Sequence, residues 1–302
     1  MTRLAGAPIS WGVCEVRDWG YQMPAERVLA EIREAGLQAT ELGPPGYLPA
    51  DPQAVARLLE EAGLELAAGF VSPVLHRPEL KDRAIYELTQ VASAVAGAGG
   101  HVLIVAAAAG SGYDARQTLD QPGWSALLAG LRRAQEIADH HDLELAFHPH
   151  AGTVVESAEA VGRLLELSDV GLCLDTGHLL IGGVDPVHLA ATAGSRVRHV
   201  HLKDVDGLLA SRVQTGDLAY SDAVRRGLFK PLGAGVVDVL ALVRHFEAAG
   251  YRGWYVLEQD VMLTAEPQPG MGPVRDVRRS VVFFESLVAL KNQTGDVRWQ
   301  PI

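Results

Sequence analysis

The chain has 302 residues, of which 48% are hydrophobic and 21% charged. That is enough apolar material to offset the ordering entropy of folding, so disorder is excluded for most of its length. Lys and Arg total 26 against 37 Asp and Glu, and the resulting charge of −11 disfavours nucleic acid and anionic membranes as partners. The two cysteines, Cys14 and Cys173, exclude a disulfide framework and a Cys-rich zinc site.

Residues 1–12 lack an apolar run long enough for a signal peptide, which makes the cytoplasm the default location. A first strand is expected at LAGAPI (4–9), followed by a helix over 24–35 that opens with Pro24, carries Val28, Leu29 and Ile32 on one face and stops at Gly36. QATELG (38–43) reads as the second strand. The helix over 51–62 opens with Asp51-Pro52 and closes at Gly63. LELAAGF (64–70) follows, then a helix over 80–98. The uncharged stretch 91–110 is about long enough to span a bilayer. Gly99, Gly100 and His101 divide it, so it reads as a helix end, a turn and a fourth strand, HVLIVA (101–106).

The alternation continues with a helix over 123–140, strand LELAFH (143–148), a helix over 157–167 and strand VGLCLD (170–175). A helix over 185–193, strand VRHVHL (197–202), a helix over 238–249 and strand WYVLE (254–258) complete it. Parallel neighbours need crossover helices, so eight such units predict a parallel sheet closed as one α/β domain, a (β/α)8 TIM barrel over residues 1–302. No G-x-G-x-x-G follows the first strand, which weighs against a nucleotide-binding open sheet. Stretches 107–122, 203–237 and 261–275 read as long loops at strand C-terminal ends, where barrels build their sites, and residues from about 292 as a peripheral tail.

Polar residues gather at the same ends: Glu41 on the second strand, His148 and His150 on the fifth, Asp175 and His178 on the sixth, His201 and Lys203 on the seventh, Glu258 on the eighth. Adjacent strands lie about 4.8 Å apart, so a His/Asp/His/Glu set from strands five to eight can converge on one divalent cation such as Mn²⁺, Co²⁺, Zn²⁺ or Fe²⁺. Mg²⁺ suits two imidazoles less well. Any one of these residues alone is more often structural; Asp175, for instance, could cap the next helix. Four on consecutive strand ends shift the balance to a shared metal. The chain has 22 arginines but only four lysines, which singles out Lys203 and Lys230 as ammonium groups able to polarise a carbonyl or move a proton. Glu41 could be a base, a substrate ligand or a rim ion pair. Trp11 and Phe70 could wall a small polyol. Cys173 lies on the same face as Asp175 and reads as inner packing.

The segments APISWG (7–12), TELGPPGYLP (40–49), HPHAGT (148–153), CLDTGH (173–178), HLKD (201–204), LGAG (232–235) and EQD (258–260) resemble the sugar-phosphate isomerase/epimerase superfamily of xylose isomerase-like TIM barrels. The resemblance runs over about residues 5–290 and is nearest to the inosose (2-keto-myo-inositol) dehydratase branch. It implies a divalent metal, Mn²⁺ or Co²⁺ first, on Asp175, His201 and Glu258. His148, with His150 as the alternative, stands where the superfamily's epimerases carry a glutamate. With one exchange glutamate missing, α-proton abstraction followed by loss of a β-hydroxyl fits better than symmetric epimerisation. Glu258 or Glu41 would be the base; His178, Lys203 or His150 would protonate the departing hydroxyl. His150, Trp11 and Lys230 would contact the substrate, a polyol or ketose. A ketose isomerase or epimerase is the nearest rival. An abasic-site endonuclease and a non-catalytic sugar-binding protein are more remote ones, and a homo-oligomer is expected by analogy.

Overall fold

The computed structural model describes residues 3–110 and 112–293. In chain order the strands are β1 (Arg3–Gly6), β2 (Ala39–Glu41), β3 (Glu65–Val71), β4 (Val102–Val105), β5 (Glu144–Phe147), β6 (Leu172–Asp175) and β7 (Val197–Leu202). Then come β8 (Asp204–Val205), β9 (Phe229–Lys230) and β10 (Trp254–Leu257). β1 to β7 and β10 close into one parallel barrel, with β1 paired to both β2 and β10. Each of the eight expected strands is present, within about three residues of its expected ends.

Alternation along the strands separates two environments. Leu103, Val105, Leu145, Phe147, Leu174, Val200, Leu202, Tyr255 and Leu257 face the surrounding helices. Ala5, Ala7, Ala39, Ala67, Trp254 and Val256 form one cluster inside the barrel, and Ala68, Val102, Ile104, Ala146 and Cys173 another. Small residues on β1 to β3 leave room for the Trp254 indole, and the Arg3 guanidinium lies 3.9 Å over that ring. The interior is therefore filled below the strand ends and is no pore.

The expected helices form as α1 (Ala25–Glu34), α2 (Pro52–Ala62), α3 (Lys81–Gly97), α4 (Gln121–His140), α5 (Ala158–Leu167), α7 (Pro186–Ala193) and α10 (Val239–Ala248), with α6 (Thr176–Ile181) between α5 and α7. Side chains of Asp51, Asp120, Ser157, Asp185 and Asp238 accept backbone N–H bonds at the starts of α2, α4, α5, α7 and α10. Such caps are worth about 1 kcal/mol each. Stretch 91–110 divides at Gly99 as expected, and among the described residues no helix is long and apolar enough to cross a membrane.

Stretch 203–237 is not the open loop expected. It holds the β8–β9 antiparallel pair, α8 (Gly207–Thr215) and α9 (Tyr220–Arg225). The α8 and α9 helices are short and bury few side chains, so their periodicity is too weak to read. The closing helix α11 (Pro273–Gln293) was also not expected, although Val274, Val277, Val281 and Phe284 recur on its buried face. The tail expected from about residue 292 lies, beyond its first two residues, outside the described residues.

Candidate metal centre and active site

Four strand ends build the centre. His148 follows β5 and is fixed by its backbone N–H to Val105 O at 2.8 Å. Asp175 ends β6 and uses its two oxygens separately: Oδ1 accepts from His178 N at 2.8 Å and caps α6, while Oδ2 faces the barrel axis. Asp175 therefore caps α6 with one oxygen and leaves the other toward the neighbouring strand ends. Asp175 and Val256 both register beside His201, so neighbouring strands deliver their side chains to one level. Asp175 Oδ2 lies 3.4 Å from His148 Nε2 and 3.4 Å from His201 Nδ1; His201 Nδ1 lies 3.2 Å from Glu258 Oε2.

These groups are buried, and His148 Nε2, Asp175 Oδ2 and His201 Nδ1 have no hydrogen-bond partner in the protein. An unsatisfied buried polar atom costs about 1–3 kcal/mol, and one cation among these three would satisfy them together. The mix of imidazole and carboxylate suits a first-row divalent ion. Cys173, two residues below Asp175, offers its sulfur near His148 and His201, but burial pushes its thiol up to about 11, so it stays protonated as inner packing.

Lys203 joins the carboxylates together. Its buried Nζ lies 2.8 Å from Asp260 Oδ1, 2.9 Å from Glu258 Oε2, 2.9 Å from His178 Nε2 and 3.4 Å from Asp175 Oδ2. Burial opposes its charge, but the fields of Asp175, Asp260 and Glu258 outweigh it and hold the ammonium well above the usual lysine range. Glu258 is pulled the other way: burial would raise its carboxyl, but His201 and Lys203 hold it below the usual range.

A cavity of about 1080 Å³ opens onto this centre. Glu41, Phe70, His148, His150, His201, Lys203 and Glu258 line it; His178 is not among them and meets Lys203 Nζ through its Nε2. His150 Nδ1 lies 2.7 Å from Ala151 O, and a carbonyl can only accept, so that nitrogen carries the ring proton. Burial holds the His150 ring neutral, well below the usual histidine range, which leaves Nε2 an acceptor. Tyr113 stacks on His150 at 4.6 Å between ring centres, and its hydroxyl bonds to Glu15.

Two expected substrate contacts are corrected. Trp11 is fully buried away from the cavity, with its Nε1 donating to Glu31 of α1 at 2.8 Å. The 3₁₀ turn Pro8–Trp11 ends on Gly12 in the left-handed region (φ 80°), and the indole packs near Ile32 and Leu37 beneath α1. Trp19, anchored by Nε1 to Val261 O at 2.9 Å, lines the cavity instead. Lys230 lies on β9, one-third exposed, with its ammonium 3.5 Å from Asp206 Oδ2 and outside the cavity.

Four residues here besides Trp19 were not singled out from sequence. Asp260 contacts Lys203 and accepts from the Tyr220 hydroxyl at 2.7 Å; it stood in the EQD segment without a role. Tyr113 and Tyr220 lie in stretches recognised as long strand-end excursions, but nothing local aims them inward. His199 had a signal: in VRHVHL it alternates onto the same inner face as His201.

Residues 29–280 match the xylose isomerase-like TIM barrel family. The inosose dehydratase of Geobacillus kaustophilus (strain HTA426) is 34% identical over 270 residues, covering 85% of this chain and 87% of that protein. The rhizopine catabolism protein MocC of Rhizobium meliloti is 34% identical over 269 residues, covering 85% and 81% respectively. In structure, an L-ribulose 3-epimerase superposes with a TM-score of 0.72 at 17% identity, covering 99% of this chain and 100% of that one, which speaks for the fold. The chain belongs to the xylose isomerase-like TIM barrel family.

Proposed function

We propose that this protein is a divalent-metal-dependent hydro-lyase acting on a cyclic polyhydroxylated ketone of the 2-keto-myo-inositol (inosose) type. The observation that carries the chemistry is the contact of one carboxylate and one ammonium, Glu258 and Lys203, at 2.9 Å on the cavity wall. The substrate class is supported by the curated relative named inosose dehydratase at 34% identity.

His148, Asp175, His201 and Glu258 would hold the cation. When bound, it supplies the positive charge that acidifies the proton beside a ketone. Mn²⁺ or Co²⁺ is our first choice for this mixed donor set, with Zn²⁺ or Fe²⁺ next and Mg²⁺ last. The Glu258 carboxylate takes the α-proton. Lys203 gives a proton to the β-hydroxyl as its C–O bond breaks, so water leaves and a carbon–carbon double bond forms. The proton on Glu258 then returns to the Lys203 amine across their direct contact, restoring both groups. The enol product becomes a dione by moving one proton from oxygen to carbon.

The geometry favours Lys203 over the other acids considered. His178 does not reach the cavity, and the neutral His150 presents an acceptor nitrogen, suited to receiving a bond from a substrate hydroxyl. Phe70 and Tyr113 offer ring faces against the C–H side of a carbocycle. The enzyme is taken to work in the cytoplasm, as a homo-oligomer.

The test is incubation of Mn²⁺-loaded protein with 2-keto-myo-inositol in D₂O, followed by NMR. A dione that has lost one water is the expected product. Deuterium uptake with every hydroxyl retained would move the assignment to a ketose epimerase or isomerase, and an unchanged spectrum would remove inosose as substrate.

A further inference from the structure

Glu41 ends β2, apart from the strands that carry the candidate ligands, yet it is tied to one of them. Its Oε1 lies 2.9 Å from His199 Nε2 and 2.9 Å from His201 Nε2, and all three groups are buried. An ionised carboxylate accepts and cannot donate, so each of the two ring nitrogens facing it carries a proton. A neutral imidazole with its proton on Nε2 keeps its lone pair on Nδ1, free for a cation. In His201 that nitrogen is turned toward Asp175 and Glu258, at 3.4 and 3.2 Å, and has no hydrogen-bond partner.

We propose that Glu41 is a positioning residue for the metal centre: it fixes the His201 proton on Nε2 and so presents Nδ1 as the ligand atom. This rests on the reading of His148, Asp175, His201 and Glu258 as a cation site. His199 contributes by spending its own Nε2–H on the same oxygen, which fixes where that oxygen sits. With Oε1 already receiving two N–H bonds, that oxygen is poorly placed to take a substrate proton, and we leave the base role with Glu258. A ring free of Glu41 could carry its proton on either nitrogen and rotate about its χ2 bond. A carboxylate on the far nitrogen prevents both, and losing such a partner costs metal sites about 10- to 100-fold in affinity.

The experiment is Mn²⁺ titration of the full-length protein by calorimetry and by the EPR signal of free Mn²⁺, comparing wild type with Glu41→Ala, Glu41→Leu and Glu41→Gln. Leu fills the space without an acceptor and serves if the Ala variant does not fold; Gln keeps one acceptor oxygen. The expected result is Mn²⁺ binding weakened about 10- to 100-fold in the Ala or Leu variant and largely recovered in Gln. In parallel, ¹⁵N-histidine NMR of the Zn²⁺ form should show His201 protonated on Nε2 in wild type and lose that signature in Leu. Wild type binding Mn²⁺ while Leu binds as tightly, with the same His201 tautomer, overturns the Glu41 proposal and leaves the cation site standing. A Leu variant that binds normally but has lost kcat returns Glu41 to the base role and also overturns it. Failure of wild type to bind Mn²⁺ removes the cation site and this proposal together.

Discussion

The two sides of the barrel are built from the same alternation and do opposite things. On β5, β6, β7 and β10 the inward positions nearest the strand ends are His148, Asp175, His201 and Glu258. On β1 to β4 the inward side chains are mostly alanines, with Phe70 and Ile104, and Glu41 is the one buried charge at a strand end there. Buried polar atoms are tolerated only with partners, so the first side is stable as a set whose members answer one another or a bound cation. The second side sets shape. Its small residues leave the space that a substrate ring needs, and its carboxylate acts across the barrel on His201.

If that division is right, the largest losses come from the polar side. Asp175→Asn and Glu258→Gln should each lower kcat by about 10³-fold or more with Mn²⁺ supplied, in a dehydration assay on protein whose Tm shows it is folded. Lys203→Met should lower kcat by about 10²- to 10⁴-fold and leave Mn²⁺ affinity within a few-fold, which separates proton transfer from metal holding. Chelation should abolish turnover, and readdition of Mn²⁺ should restore it. At 100 times the dissociation constant the ion adds about 2.7 kcal/mol of stability, visible as a rise in Tm. On the apolar side, Ala39→Val overfills the interior and should cost about 1–3 kcal/mol in denaturant unfolding while sparing Mn²⁺ binding. Trp11→Phe deletes the bond to Glu31 and should cost a similar amount of stability with kcat unchanged. Lys230→Ala, at a partly exposed ion pair, should shift stability by less than about 1 kcal/mol and leave kinetics alone.

Acid should also act through the polar side. Burial holds His148, His150, His178 and His199 below the usual histidine range, so the fold keeps them neutral. The unfolded chain takes up protons near pH 6.5 that the fold refuses. Their share of the stability is therefore fully present above about pH 6.5 and declines as pH falls below it, while His201, which the carboxylates around it hold protonated against burial, contributes with the opposite sign. Tm of the metal-free protein, followed from pH 7.5 to 5 at fixed ionic strength, should drop over that window, about 2–4 °C for each kcal/mol lost.

The strand frame was legible because each strand alternates and each crossover helix carries a start or stop residue, as Asp51-Pro52 and Gly63 do for α2. The candidate cation set was legible because strand ends in a barrel share one face, so residues at 148, 175, 201 and 258 needed no contact information to be grouped. Direction at turns was not legible. Trp11 turns away from the cavity on a 3₁₀ turn ended by left-handed Gly12, while Trp19, eight residues on, reaches it from a loop held by Val261. The network around Lys203 escaped for a related reason: Asp260 and Tyr220 come from different excursions and meet only in three dimensions. The role of Glu41 depends on which nitrogen of His201 faces which carboxylate, a matter of orientation that strand position alone does not fix.

Four strand ends holding one divalent cation is the feature on which the proposed chemistry stands, and anomalous diffraction from a Mn²⁺-soaked crystal reads it out. One strong peak is expected at about 2.0–2.3 Å from nitrogens of His148 and His201 and oxygens of Asp175 and Glu258, with His201 bound through Nδ1. A peak between Glu41 and His199, or none inside the barrel, would contradict it.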